Sequence, residues 1–358
     1  MTQTLGYAKE LGALYQRMRD SFRSSPFVRG PVRLGVLRCS DGRMRRFNGA
    51  IGAKPGMFFD MRAVGARKDF ISYPFRDRLG DWLRQGGEEH AFLLTYHFDC
   101  LELTLGCKGH HFDKDAAIKA QMQLAADLED GFRGRIRPLV VGFDTRLEEL
   151  VLHGQGSPIR ARELGDRGQA TMMLHDLWPH VPHTVRDEII PLLLHNAAQV
   201  GVNIANGWHD RAKNHEEVGL VVGRRIGWVV DEDDALQAVM IEDTTIHPSS
   251  EISLGIQLLK SNLTEGRIPR ENGAFVLVCI PYFERNHEKD ATIVAARRWA
   301  ELVRRLVREL APEIQEDLSY FVGVICQETR ELTLIEAPAD TQEHFGVPHP
   351  LALAAGMQ

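Results

Sequence analysis

The chain is an α/β protein with a mostly parallel sheet and flanking helices, built twice over, and three observations predict this. Apolar runs of strand length alternate with segments whose apolar residues recur at helical spacing, the pattern of βαβ units. Two of the runs end in a side chain that ligates metals: 34–38 stops at Cys39, and 92–96 stops at His97. A weaker copy of the same order of runs returns roughly 180 residues further on.

Residues 1–22 are mixed in charge, with Leu5, Leu11, Leu14, Tyr15 and Met18 on one helical face. This reads as an amphipathic helix in an amino-terminal arm, 1–29, and as neither a signal peptide nor a membrane span. The strand 34–38 then delivers Cys39, followed at once by Ser40-Asp41-Gly42-Arg43, which sets a carboxylate and a guanidinium beside it. Residues 55–62 run into a further strand. After His97 a short loop carries Cys107, and 115–129 repeats Ala117, Ala120, Leu124, Ala125 and Leu128 at helical spacing. Residues 138–144 and 147–152 read as a closing hairpin. From His153 to about Arg167 the composition turns to Gly, Ser, Pro and charge, a linker signature, which bounds a first domain at 30–165. A helical block at 184–206 opens a second domain, 166–340, and 341–358 is a tail.

The second domain reads as a worn copy of the first. Gly35-Val36-Leu37-Arg38-Cys39 lines up with Gly219-Leu220-Val221-Val222-Gly223, and Phe92-Leu93-Leu94 with Phe275-Val276-Leu277. Lys114-Asp115-Ala116 matches Lys289-Asp290-Ala291, and Val141-Gly142 matches Val322-Gly323. In this register Cys39 becomes Gly223, Asp41 becomes Arg225, and His97 falls at Ile280 or Pro281, so the copy keeps no metal site. The spacing shortens at the helix because the first copy holds about eight extra residues, the segment with Cys100 and Cys107.

Composition narrows the function. A net charge of −6 argues against a nucleic-acid binder, which needs a positive stripe to displace counterions. The five cysteines, Cys39, Cys100, Cys107, Cys279 and Cys326, are odd in number and scattered, which excludes a disulfide scaffold and fits a reducing cytoplasm. Arg297, Arg298, Arg304, Arg305 and Arg308 lie opposite Trp299, Leu302, Val303, Leu306 and Leu310 at helical spacing, a solvated face over a core stripe.

The chemistry therefore concentrates on Cys39, His97 and a second cysteine. Open α/β sheets bind ligands beyond the carboxyl ends of their parallel strands, where both runs deliver their side chain. Two thiolates and an imidazole suit a tetrahedral zinc ion with one position left for water, whose pKa such an ion lowers to about 7. Singly, each residue has a simpler reading: a core cysteine, or an Asp41–Arg43 ion pair capping a strand. Cys100, in His97-Phe98-Asp99-Cys100, competes with Cys107 for the second thiolate, and the residues alone leave that choice open. His110 and His111 could relay protons, or be solvated loop histidines.

Cys39-Ser40-Asp41-Gly42-Arg43, a histidine ending a later strand and a cysteine entering the next helix resemble the β-class carbonic anhydrases. Gly106-Cys107-Lys108-Gly109-His110 before an Asp- and Ala-rich helix, with a degenerate second half, resembles their divergent carboxysome shell subclass. The resemblance implies a β-carbonic-anhydrase-like sheet and reversible hydration of carbon dioxide to bicarbonate by zinc-bound hydroxide. It implies Cys39, His97 and Cys107 as ligands of Zn2+, and Asp41 and Arg43 as the catalytic pair, with Asp41 either orienting the hydroxide or resting on the zinc. It also implies a homodimer, in which each chain pairs its two copies internally. The shell enzymes use an additional amino-terminal region to join carboxysome components; here one helix precedes the catalytic strand, which leaves carboxysome association doubtful, an alternative to the cytoplasmic location the cysteines suggest. Two other functions fit the same residues: a hydrolase of carbonyl sulfide or carbon disulfide, and a non-catalytic zinc-binding regulatory protein.

Overall fold

The computed structural model describes residues 9, 32–54, 57–66, 73–84, 86–102, 105–207, 217–223, 237–242, 248–284, 288–326, 328–329 and 331–339. The amino-terminal arm apart from Lys9, Arg225 and the tail 341–358 lie outside them. The described residues from 32 to 207 form one compact α/β unit, and those from 217 to 339 form another.

In the first unit, β1 (Val32–Cys39) pairs in parallel with β2 (Phe58–Ala63) on one side and β3 (Glu89–Phe98) on the other. Beyond β3 come β4 (Arg137–Asp144), parallel, then β5 (Glu149–Leu152) and β6 (Ile159–Arg160), antiparallel. The spatial order is β2-β1-β3-β4-β5-β6. The chain leaves β1 in one direction for β2 and returns to its other flank for β3. Strand order thus reverses between β1 and β3, and their carboxyl ends border the crevice that this reversal opens.

Alternation along the strands divides the core. Phe92, Leu94, Tyr96 and Leu37 face α1 (Tyr73–Arg84) and α2 (Lys114–Gly131), meeting Leu79, Trp82, Leu124 and Leu128. Leu93, Leu34, Val36 and Val141 face α3 (Arg167–Leu177) and α4 (His183–Ala205), meeting Leu174, Val185, Ile189 and Leu193. Each such side chain contributes about 1.5–3 kcal/mol by leaving water, so both faces of the sheet demand cover.

That demand corrects the expected boundary at 165/166. The stretch 153–167 supplies β6 and the turn Ala161–Glu163, with Ala161 and Leu164 fully buried. The helix expected to open the second half belongs to the first unit. Asn196 of α4 accepts from the Leu150 N–H at 2.9 Å and donates to the carbonyls of Glu148 at 2.7 Å and Ala50 at 3.0 Å. The Gly, Ser and Pro of 153–167 mark a surface turn, and the sheet face beneath would be bare without α3 and α4.

In the second unit, β7 (Gly219–Gly223) lies between β8 (Ala238–Ile241) and β9 (Ala274–Tyr282), both parallel to it. β10 (Leu318–Cys326) continues in parallel and β11 (Leu332–Glu336) closes antiparallel, giving the order β8-β7-β9-β10-β11. Strand order and directions match the first five strands of the first unit. Registers match too: Gly35 lies opposite Phe92 and Gly219 opposite Phe275, while Tyr96 lies opposite Gly142 and Cys279 opposite Gly323. Two long helices described in this unit are α5 (Pro248–Thr264) and α6 (Lys289–Leu310), and α2 and α6 begin at Lys114 and Lys289. On α6, Ala300, Val303 and Val307 are buried, Arg297, Arg298, Arg305 and Arg308 are exposed, and Arg304 pairs with Glu336 at 2.7 Å. Trp299 and Leu302 are only partly buried.

Candidate metal centre

Cys39 is the last residue of β1 and His97 the last but one of β3, so the two neighbouring strands bring both to the strand-order reversal. Cys107 arrives from the loop that follows. That loop is closed by its own backbone: the Cys107 carbonyl accepts from the N–H groups of His110 and Phe112, each at 3.0 Å. His111 and Phe112 take left-handed conformations, φ 53° and 65°, which turn the chain into α2, where Asp113 caps the helix by accepting from the Ala116 N–H at 2.9 Å.

The result is one buried cluster. Ligand atoms of Cys39, His97 and Cys107 all lie within 4.8 Å of one another, and the two sulfurs are 3.7 Å apart. Both ring nitrogens of His97 are buried without a hydrogen-bond partner, although Asp41 Oδ2 approaches Nε2 to 3.5 Å. Buried polar atoms left unpaired are costly, and a cation at the centre of this cluster would satisfy one of the two. The Cys39 thiol is pushed well above its ordinary pKa, first by the hydrogen bond shared with Cys107 and then by burial. The three residues thus form a site that could hold a metal ion, which fits the donor types expected.

Asp41 and Arg43 stand beside it. Asp41 caps the 3-10 turn Gly42–Arg46, its Oδ1 accepting from the Arg43 N–H at 2.9 Å. The Arg43 guanidinium returns across the turn in a two-pronged fork, Nε to Oδ1 at 2.9 Å and Nη2 to Oδ2 at 2.7 Å. Its outer edge donates to the carbonyls of Leu105 and of Gly106, the latter at 3.2 Å, so one arginine ties Asp41 to the loop that carries Cys107.

Cys100, the competing thiol, is not part of the cluster. Asp99 Oδ1 accepts from the N–H groups of Leu101 and Glu102, a turn that leaves Cys100 on the exposed side. Its thiol is pushed up to about 12, by partial burial and then by its hydrogen bond to Asp144. Of the two loop histidines, His111 fits the solvated reading, and His110 fits neither reading given to it. His111 is exposed, whereas His110 is buried and donates from Nε2 to the Gly65 carbonyl at 2.8 Å. His110 is therefore a structural donor within the site's wall.

One contact to the centre has no counterpart in the sequence patterns. The Gly65 N–H donates to Cys39 Sγ at 3.2 Å. Gly65 is left-handed, φ 66°, and a Cβ on Gly109 would stand 2.7 Å from the Gly65 Cα, so the Cys107 loop presses directly on this turn. The only sequence trace is a pair of glycines 44 positions apart, at 65 and 109, which no local motif links. Among known proteins, a scan against family models and a search of curated proteins both find no match for this chain.

Proposed function

We propose that the chain is a zinc-dependent carbonic anhydrase of the β-class kind, interconverting carbon dioxide and bicarbonate at the Cys39–His97–Cys107 centre. The single observation that carries this reading is the spacing of the ligands beside the Asp41–Arg43 fork. Two thiolates each about 2.3 Å from a tetrahedral zinc lie about 3.8 Å apart, and the sulfurs here are 3.7 Å apart. Two sulfurs and one nitrogen favour zinc over ions that prefer oxygen, and three protein donors leave one position open. Zinc bound there makes hydroxide available from water near neutral pH.

The chain's own residues supply orientation. Arg43 fixes Asp41 through both carboxylate oxygens and is itself anchored to the Cys107 loop. The pair leaves Asp41 an acceptor at Oδ2, on the side facing His97, where it would take a hydrogen bond from the reacting water and so orient that water's lone pair toward the substrate carbon. Asp41 engaged with Arg43 supports the arrangement in which the carboxylate orients water rather than occupying the metal.

The equal strand order, matching registers and helix starts support descent of the two units from one duplicated domain. In that correspondence Gly223 stands for Cys39 and Ile280 for His97, so the second unit serves as scaffold. Association of two chains through their catalytic halves belongs to the same proposal.

Stopped-flow hydration of carbon dioxide, with metal analysis, tests the reading. Wild-type protein should carry zinc and accelerate the reaction, and Cys39→Ser should lose both. Zinc-loaded wild type that is inert toward carbon dioxide would end the carbonic anhydrase reading.

A further inference from the structure

The Gly65–Ala66 turn is an unlikely conformation with unusual support. Gly65 and Ala66 are both left-handed, φ 66° and 47°, and both are buried. For alanine this region is costly and persists only where surroundings over-determine it. Two buried side chains from the segment after β3 do so, one on the Cys107 loop and one on α2. His110 donates to the Gly65 carbonyl at 2.8 Å, and Gln121 of α2, fully buried, donates to the Ala66 carbonyl at 2.9 Å and reaches the Gly65 carbonyl at 3.5 Å. Fixing those carbonyls fixes the 65–66 and 66–67 peptide planes; the Gly65 N–H lies in the plane just before them, joined to it through the Gly65 Cα, and is aimed at Cys39 Sγ.

We propose that His110 and Gln121 are positioning residues for the metal centre: through the Gly65–Ala66 turn they hold an N–H donor against the Cys39 sulfur, withdrawing charge from that thiolate. This rests on the metal-centre reading. Partners one step removed from the metal tune its ligands, and losing one typically costs about 10–100-fold in metal affinity. Without the donor the sulfur becomes more electron-rich, so its charge-transfer transition to a bound metal moves to lower energy.

Cobalt(II) loaded into the full chain reads this directly. In His110→Ala the sulfur-to-cobalt band should shift to longer wavelength and cobalt affinity should fall about 10–100-fold, while His110→Gln, which keeps a donor, should stay near wild type. Gln121→Met attacks the same turn from α2 and should shift the band in the same direction; it decides the matter if His110→Ala does not fold by circular dichroism. Wild type that binds cobalt, with folded variants indistinguishable from it in band and affinity, overturns this inference alone. Wild type that takes up no cobalt overturns the metal-centre reading and this inference with it.

Discussion

At Asp41 two influences oppose each other. Burial raises the carboxyl, while the Arg43 charge, then His97, and the hydrogen bonds from Arg43 pull it down, and the second group prevails, holding it well below the usual carboxylate range. An acid that stays ionised cannot donate a proton at working pH, so its value lies in accepting and orienting. Asp41→Asn should then retain metal and lose roughly 10²-fold or more in kcat/KM. Arg43→Lys keeps the charge but loses the planar fork, and should fall in the same direction; a rate unchanged in both would remove the pair from the chemistry. A second residue gives stability its pH dependence. His153 is buried, shares a hydrogen bond with the Tyr96 hydroxyl at 2.7 Å, and is pushed down to about 4, first by burial and then by the Lys114 charge. The unfolded chain takes up a proton near 6.5 and the folded one only near 4, so stability is full above 6.5 and declines as pH falls through that window, by on the order of 3 kcal/mol. Urea unfolding at pH 7 and pH 4.5 should show this decline, and His153→Gln should flatten it.

Among the elements, glycines in the two central strands carry a sharper test of equivalence than sequence similarity does. Gly35 and Gly219 each lie under the ring of the phenylalanine opposite, Phe92 and Phe275, in the space a Cβ would occupy. Gly35→Ala and Gly219→Ala should each destabilise by about 1–3 kcal/mol, seen as lowered melting of the unit concerned. If one costs nothing, the two strands do not pack alike. The strands that deliver the ligands and α2 were legible because their signals are local: apolar runs of strand length, and apolar residues at helical spacing. The ligand set was legible because side chains at adjacent strand ends must meet once the strands pair. The role of 153–205 was not, since composition reports exposure of a segment and not which sheet face needs cover. The Gly65 donor was equally hidden, because it depends on a backbone conformation held by residues 45 and 56 positions away, His110 and Gln121.

For the molecule as a whole, the question is where the capacity to bind metal resides. Every group placed at the centre, from Cys39 and the Gly65 turn to Cys107, His110 and Gln121, belongs to the first unit, and so do both apolar clusters that sandwich its sheet. The buried pair of Arg38 with Asp60 locks β1 to β2 directly below the site, also within that unit, and Asn196 fastens α4 to the same sheet. No described residue of the second unit stands among the candidate ligands. Binding should therefore follow the first unit alone: residues 25–215 produced by themselves should melt cooperatively and take up zinc, or cobalt with a thiolate band, at an affinity within about tenfold of the full chain, a difference of about 1.4 kcal/mol. A folded fragment that binds no metal while the full chain does would show that the second unit shapes the centre, and would turn the scaffold role proposed for it into a functional one.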